Sequence, residues 1–254
     1  MKTYLVSSDI KRALGSKGFL FGIVGMVLMI LIASLSSILP QLQGGQALAY
    51  GYHGKLILDA LKSEDVTLVL PILCTLPFTS AFVEDIKSGF IKLYLPRSGV
   101  KQYIKGKLIA CGLSGGLVLF LGIVISYGLA ALIFTPMELA LQKNVVAEPY
   151  FAEVLMIAAT LFLSGILWSL VGFTFAALTM SKYMAYAAPF ILYYVLIILH
   201  ERYFEKLYVF YPKEWLFPTE WILGSFGVIL LLGEIIAVVC LAFVITAKRR
   251  MKNV

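Results

Sequence analysis

Residues 84–107 hold the densest set of side chains able to do chemistry. Glu84 and Asp85 open the stretch, and Lys87, Lys92, Arg97, Lys101, Lys105 and Lys107 follow them. Apolar residues run between the charges at helical spacing. Ile86, Phe90, Leu93 and Tyr94 fall on one face. Pro96 interrupts the pattern, and Ser98 is placed to cap a second helix in which Val100, Tyr103, Ile104 and Leu108 align. Such an amphipathic pair has two uses. It can lie among lipid headgroups with its cations on phosphate, or it can seat its apolar ridge in a groove of another protein. The residues alone leave both open.

Other reactive groups are sparse. A phosphate-binding loop needs G-x-x-x-x-G-K-[ST] between a strand and a helix. Gly106-Lys107 is followed by Leu108, and position 101 is Lys, so this chain carries no such loop. His53 and His200 are the only histidines and fit no zinc spacing. Cys74, Cys111 and Cys240 stand far apart inside apolar runs and read as inert packing thiols. Ser164-Gly165 lacks the preceding glycine of a nucleophile turn, and the chain is not read as an enzyme. Glu234 is the one carboxylate deep in an apolar run. A lone charge there costs about 2.5–3.5 kcal/mol on insertion scales, so it is either functional or a protonated or paired structural carboxyl.

The elements that carry these groups follow from composition. Of the 254 residues, 61% are hydrophobic and only 14% are charged. A soluble domain is about half apolar and a quarter charged, so lipid must be part of the solvent here. A helix needs about 20 apolar residues to cross the hydrocarbon core. Charge-poor runs at 19–39, 66–83, 108–134, 154–180, 183–199 and 222–247 predict six such helices, the last interrupted by Glu234. The first is too long for the core of a secretory signal. Residues 2–17 fit a short interfacial helix. The net charge is +7, but the cations cluster between apolar runs, which speaks of topology and not of nucleic acid. Fifteen of the 21 Lys and Arg fall on the side that holds both termini and residues 84–107. The positive-inside rule places that side in the cytoplasm. The expected fold is one all-α domain over 1–254, an integral membrane six-helix bundle with both ends cytoplasmic.

Outside the spans, the segment near 200–221 is crowded with rings, among them Tyr208, Trp215 and Trp221, and broken by Pro212 and Pro218. It reads as an interfacial belt or as short helices folding back to close an outer gate. Gly18, Gly22 and Gly25, Gly112 and Gly116, and Gly165, Ser169 and Gly172 set small residues about a turn apart, which favours close helix crossing. Pro71 and Pro77 predict a kink in the second span.

Glu84, Gly89, Leu95-Pro96-Arg97 and the Tyr103 to Gly106-Lys107 ending resemble the signature between spans two and three of ABC-two exporter permeases. Phe90 stands where that pattern has Thr, and Arg97 follows Pro96 directly. The family consists of six-span membrane subunits of bacterial exporters of drugs, polysaccharides and bacteriocins. The resemblance implies that 84–107 is the coupling segment, touching a separate cytoplasmic ATPase through Glu84, Asp85, Gly89, Phe90, Lys92, Arg97 and Lys101. It implies a permease pairing with itself or with a related permease in the bacterial plasma membrane. ATP and Mg would be bound by the partner, and this chain would hold no cofactor. The re-entrant reading of the aromatic segment is favoured by the same resemblance. Lack of a large hydrophilic funnel suggests an amphipathic cargo. Two rival functions remain: a secondary transporter or channel, for which Glu234 is the only available coupling site, and a non-transporting immunity or sensor protein of the same fold.

Overall fold

A computed structural model describes residues 2–44, 48–139, 150–204, 206–218, 221 and 224–252, with backbone alone at 2–5, 41–44, 93, 94, 97 and 98. The chain forms helices α1 (Lys2–Leu14), α2 (Lys17–Gly44), α3 (Tyr52–Lys62), α4 (Glu64–Leu73), α5 (Ala81–Lys87), α6 (Phe90–Ser98), α7 (Val100–Phe134), α8 (Tyr150–Thr179), α9 (Lys182–Arg202) and α10 (Gly224–Met251). Among the described residues the only β pairing is a single bridge between Leu48 and Glu138.

Among the described residues five helices, within α2, α7, α8, α9 and α10, are long and apolar enough to cross a membrane. They cover the predicted runs at 19–39, 108–134, 154–180, 183–199 and 222–247, with Met180 just past the end of α8 and residues 222 and 223 outside the described set. Backbone polar groups cannot go unpaired in hydrocarbon, which is why these runs close their hydrogen bonds internally as helices.

The predicted unbroken second span over 66–83 is not formed. Helix α4 stops at Leu73 after 10 residues, about 15 Å of rise against the ~30 Å of a hydrocarbon core. Turns fill 74–80 and α5 begins at Ala81. Proline explains the break. Pro71 and Pro77 donate no backbone hydrogen bond and each crowds the carbonyl four residues back. Hydroxyls add bonds to carbonyls within the turn: the Thr75 hydroxyl donates to Ile72 O at 2.7 Å and the Thr79 hydroxyl to Thr75 O. Non-helical backbone at this depth is tolerated only where protein covers it. Cys74, Thr75, Phe78 and Thr79 are all 4% exposed or less.

Glycines of three neighbouring helices make that cover possible. A Cβ on Gly18 of α2 would collide with the Leu76 carbonyl. One on Gly115 of α7 would lie 2.8 Å from the Cys74 carbonyl oxygen, and one on Gly172 of α8 would lie 3.3 Å from the Thr75 methyl. Helices α7 and α8 form the central pair, close enough that a Cβ on Gly165 would lie 2.7 Å from the Gly115 carbonyl oxygen. Helix α10 packs mainly on α8, and α1 lies against the start of α7. The main core gathers Met26, Ile30, Leu70, Val118, Leu161, Trp168 and Val228; a second cluster around Phe82, Tyr103, Phe173 and Phe243 sits towards the end that holds α1 and α5. We call that end the base.

Candidate functional site at the base of the bundle

Two glycines shape the segment that the sequence singles out. Gly89 has φ +72° and Gly99 has φ +75°, a region that side-chain-bearing residues avoid. They bracket α6 and set it off from α5 and α7. The single helix expected across 86–94 is therefore divided at residues 88–89, and Pro96 lies within α6 instead of ending it. The second helix is capped by Gly99, not by Ser98.

The elbow turns part of its surface outward. Phe90 is 41% exposed, and Lys87, Lys92, Val100, Lys101 and Lys105 are exposed with it. Ile91 and Tyr103 point inward, each at 1%. Arg97 lies outside the described side chains. Between α1 and α7 runs a groove lined by Val6, Ile10, Lys11, Lys105 and Ile109. Its mix of ammonium and hydrocarbon is the chemistry of a bilayer headgroup region.

Asp85 behaves differently from its neighbours. It is 2% exposed. One carboxylate oxygen takes the Lys107 ammonium at 2.7 Å and the Tyr103 hydroxyl at 2.9 Å; the other takes the Arg12 guanidinium at 2.8 Å. Lys107, itself 1% exposed, also donates to Asp9 at 2.8 Å and lies 4.9 Å from the centre of the Phe78 ring. Two carboxylates and two cations thus close a neutral cluster, with its lone pairs and protons largely matched. That matching is the condition under which buried charges are tolerated. Gly106 makes room for it: a Cβ there would lie 2.9 Å from the Asp9 carboxylate.

Glu84 is half-buried beside the cluster. It accepts from the Ser80 hydroxyl at 2.9 Å, meets Lys182 at the start of α9 at 3.1 Å, and lies 3.7 Å from Arg12. Burial would push its carboxyl up, but Ser80, Lys182 and Arg12 outweigh that and hold it below the ordinary glutamate value. Burial likewise works against the Arg12 charge, and the facing Asp85 and Glu84 overcome it and raise its pKa. The root of the elbow is thereby tied to α1, α7 and α9 at once.

The opposite end is built from rings and smaller polar sets. Trp215 is 2% exposed, donates to Val209 O at 2.8 Å and stacks on Trp168 of α8 with ring centres 6.2 Å apart. Tyr208 meets Trp221 edge-on at 5.6 Å, whereas Tyr203 and Phe204 stay exposed. The segment therefore divides between an exposed belt and an inserted plug. Glu138 receives the backbone N–H of His53 at 2.9 Å and of Gly51 at 3.0 Å, and pairs with the His53 ring at 2.7 Å. Lys213 bridges Glu64 at 2.9 Å and Glu201 at 3.4 Å.

Glu234 faces away from the bundle on the exposed side of α10 and has no partner among the described residues. No group of three or more His, Cys, Asp or Glu able to hold a metal ion occurs among the described residues. Sequence reasoning named Glu84 and Asp85 but missed Asp9, Arg12 and Lys107 as their partners. Two signals pointed there. Asp9 is the sole carboxylate before Asp59, and Lys107 sits at the start of a long apolar run, where an ammonium needs a counter-charge. Comparison with family models, with curated proteins and with solved structures finds no match to this chain.

Proposed function

We propose that the chain is the membrane-spanning subunit of an ATP-driven exporter, coupled through its base to a separate ATPase. In this reading the base faces the cytoplasm. The broken stretch over 66–83, from α4 into the first turn of α5, makes the second of six crossings, sheathed in protein as irregular transmembrane backbone must be. ATP and Mg2+ are bound by the partner, and two permease copies, or this chain and a related one, flank the pathway in a bacterial plasma membrane.

One observation carries the proposal. The elbow presents Phe90, Lys92 and Lys101 to the outside of the molecule, while Glu84 and Asp85 at its root are locked to three other helices. A force applied to α6 by a partner would pass through Asp85 to α1 and α7, and through Glu84 to α9. Contact and transmission fall to different residues: Phe90, Lys92, Arg97 and Lys101 meet the partner, and Glu84 and Asp85 transmit. Closure of paired ATPases would tilt these helices between two discrete packings. At the far end, withdrawal of Trp215 from Trp168 would open an exit. A coupling-ion transporter fits less well, because Glu234 stands alone on the exposed side of α10 with no second ionisable group joined to it among the described residues, whereas a coupling-ion site gathers several ligands.

The test is co-purification and transport. The chain should purify with an ATP-hydrolysing polypeptide, lose it on Phe90→Ala with Arg97→Ala, and move cargo in inverted vesicles only with ATP. Transport by the purified chain alone would refute the proposal.

A further inference from the structure

Cations at the base divide into two kinds. Arg12 and Lys107 turn inward to Asp9 and Asp85. Their sequence neighbours Lys11 and Lys105 stay exposed, and neither has a carboxylate partner among the described residues. Both line an open groove of about 760 Å³ between α1 and α7, the volume of a small-molecule site. No carboxylate lines it among the described residues. Grooves at the far end differ: Lys213 lies with Glu64 and Glu201, and Lys55 with Asp59. In a further basic groove of the base, Arg250 already donates to the Leu178 carbonyl. The inner cluster is neutral, so Lys11 and Lys105 leave two like charges on one groove, an arrangement that an anion relieves. Beyond Lys105 the surface turns to hydrocarbon. Lys105 lies just before the charge-free run 108–134, at the level where headgroups meet the core. Ile109, Leu113, Leu117 and Phe120 follow it at spacings of three and four on one face of α7, each at least partly exposed. The last two line a second groove with Ala159 and Phe162 of α8. Gly116 lets α8 come that close, for a Cβ there would lie 2.7 Å from the Phe162 carbonyl oxygen. From Ile109 to Phe120 is about 17 Å along the axis, near the ~15 Å of half a hydrocarbon core.

We infer that this face binds one anionic glycerophospholipid, with its phosphate between Lys11 and Lys105 and an acyl chain laid along α7 into the groove between α7 and α8. Lysine ammoniums take phosphate as point charges on flexible stems. The exposed Ser7 hydroxyl lines the same groove and can donate to the headgroup. Charge selects an anionic lipid. The ammonium of a zwitterionic headgroup would meet two lysines and no carboxylate among the described lining. Shape selects a lipid over a free phosphate, because only a lipid carries a chain long enough to reach Leu117 and Phe120 once its phosphate is held at Lys105. A lipid so placed bridges α1 and α7 on the outside, where Lys107 and Asp9 bridge them within. The site holds whichever leaflet the base faces, and it needs no ATPase.

The test is native mass spectrometry of the full-length chain released from micelles doped with phosphatidylglycerol or with phosphatidylcholine of the same acyl chains. One phosphatidylglycerol per chain should be retained, and phosphatidylcholine should be lost. Lys11→Gln or Lys105→Gln should weaken retention about 5-fold each and the pair about 25-fold, the worth of a lysine beside anionic lipid. Lys248→Gln with Arg249→Gln removes as much exposed charge from the same end and should stay close to the parent. Ala159→Phe fills the apolar groove with both lysines in place and should weaken retention too. All these side chains are exposed, so unfolding temperatures without lipid should match the parent's. Excess inorganic phosphate should displace nothing. Equal retention of the two lipids, full retention by the double lysine variant, an equal loss in the Lys248 and Arg249 variant, or undiminished retention in Ala159→Phe would each overturn the inference. Displacement by inorganic phosphate would overturn it in favour of a free-anion site.

Discussion

The two ends of the bundle use charge in opposite ways. At the base, Asp85 and Lys107 have side chains 3% and 1% exposed, and both are spent on partners within the chain. At the far end, Lys213 bridges Glu64 with side chains 26% and 79% exposed. The first arrangement fixes several helices relative to each other, because a buried charge deprived of its partner has no water to fall back on. The second holds a surface loop weakly and is screened by salt. A rigid base and a loosely held far end are what the proposed coupling from the base would require.

The comparison breaks most directly at Lys107. Lys107→Met should strand Asp9, leave Asp85 with only Arg12 and Tyr103, and cost about 3–5 kcal/mol, read as a large fall in thermal unfolding temperature in detergent micelles. A cost no greater than that of an exposed pair would remove the contrast between the ends. Packing can be separated from charge at the break in the second span. Gly18→Val should cost about 1–3 kcal/mol by overpacking against Leu76, with the base cluster chemically intact. If it costs more than Lys107→Met, glycine packing and not the ionic cluster is what fixes the base.

Glu138 lies between the extremes, a well-bonded carboxylate at the far end. Glu138→Gln should cost about 1–3 kcal/mol through its donors at Gly51 and His53. Its pH dependence has a definite sign. Burial would raise the Glu138 carboxyl, but the His53 and Gly51 N–H groups and the His53 ring outweigh it and hold it below the ordinary value. Its contribution is thus full above the unfolded glutamate pKa of about 4.3 and disappears as pH falls through the lower folded value. Stability measured from pH 6 to pH 3 should drop less in the variant than in the parent. The smallest effect belongs to Lys213→Ala, about 0.2–1 kcal/mol, shrinking further in high salt.

The long helices were legible because a charge-free run of sufficient length has one solution in lipid. The break in the second span was not, because Leu70 to Phe82 reads as apolar whether helical or turned, and prolines announce a kink without saying whether the helix resumes. The base cluster was half legible. Glu84 and Asp85 stand out locally, but Lys107 and Asp9 lie 98 residues apart, and only the fold brings α1 beneath α7. In the aromatic segment, composition could not tell Trp215, which enters the core, from Phe204, which stays out; rings favour both places. For Glu234 the apolar run around it sets depth but not direction, because which side of α10 faces the bundle depends on packing against α8.

The central claim is that the elbow over residues 84–107 lies in the cytoplasm in the grip of an ATPase. Labelling of Phe90→Cys with a membrane-impermeant maleimide tests it most directly. The account predicts no reaction in intact cells, reaction after permeabilisation, and shielding when the ATPase partner is present. Reaction at position 90 from outside intact cells would contradict it.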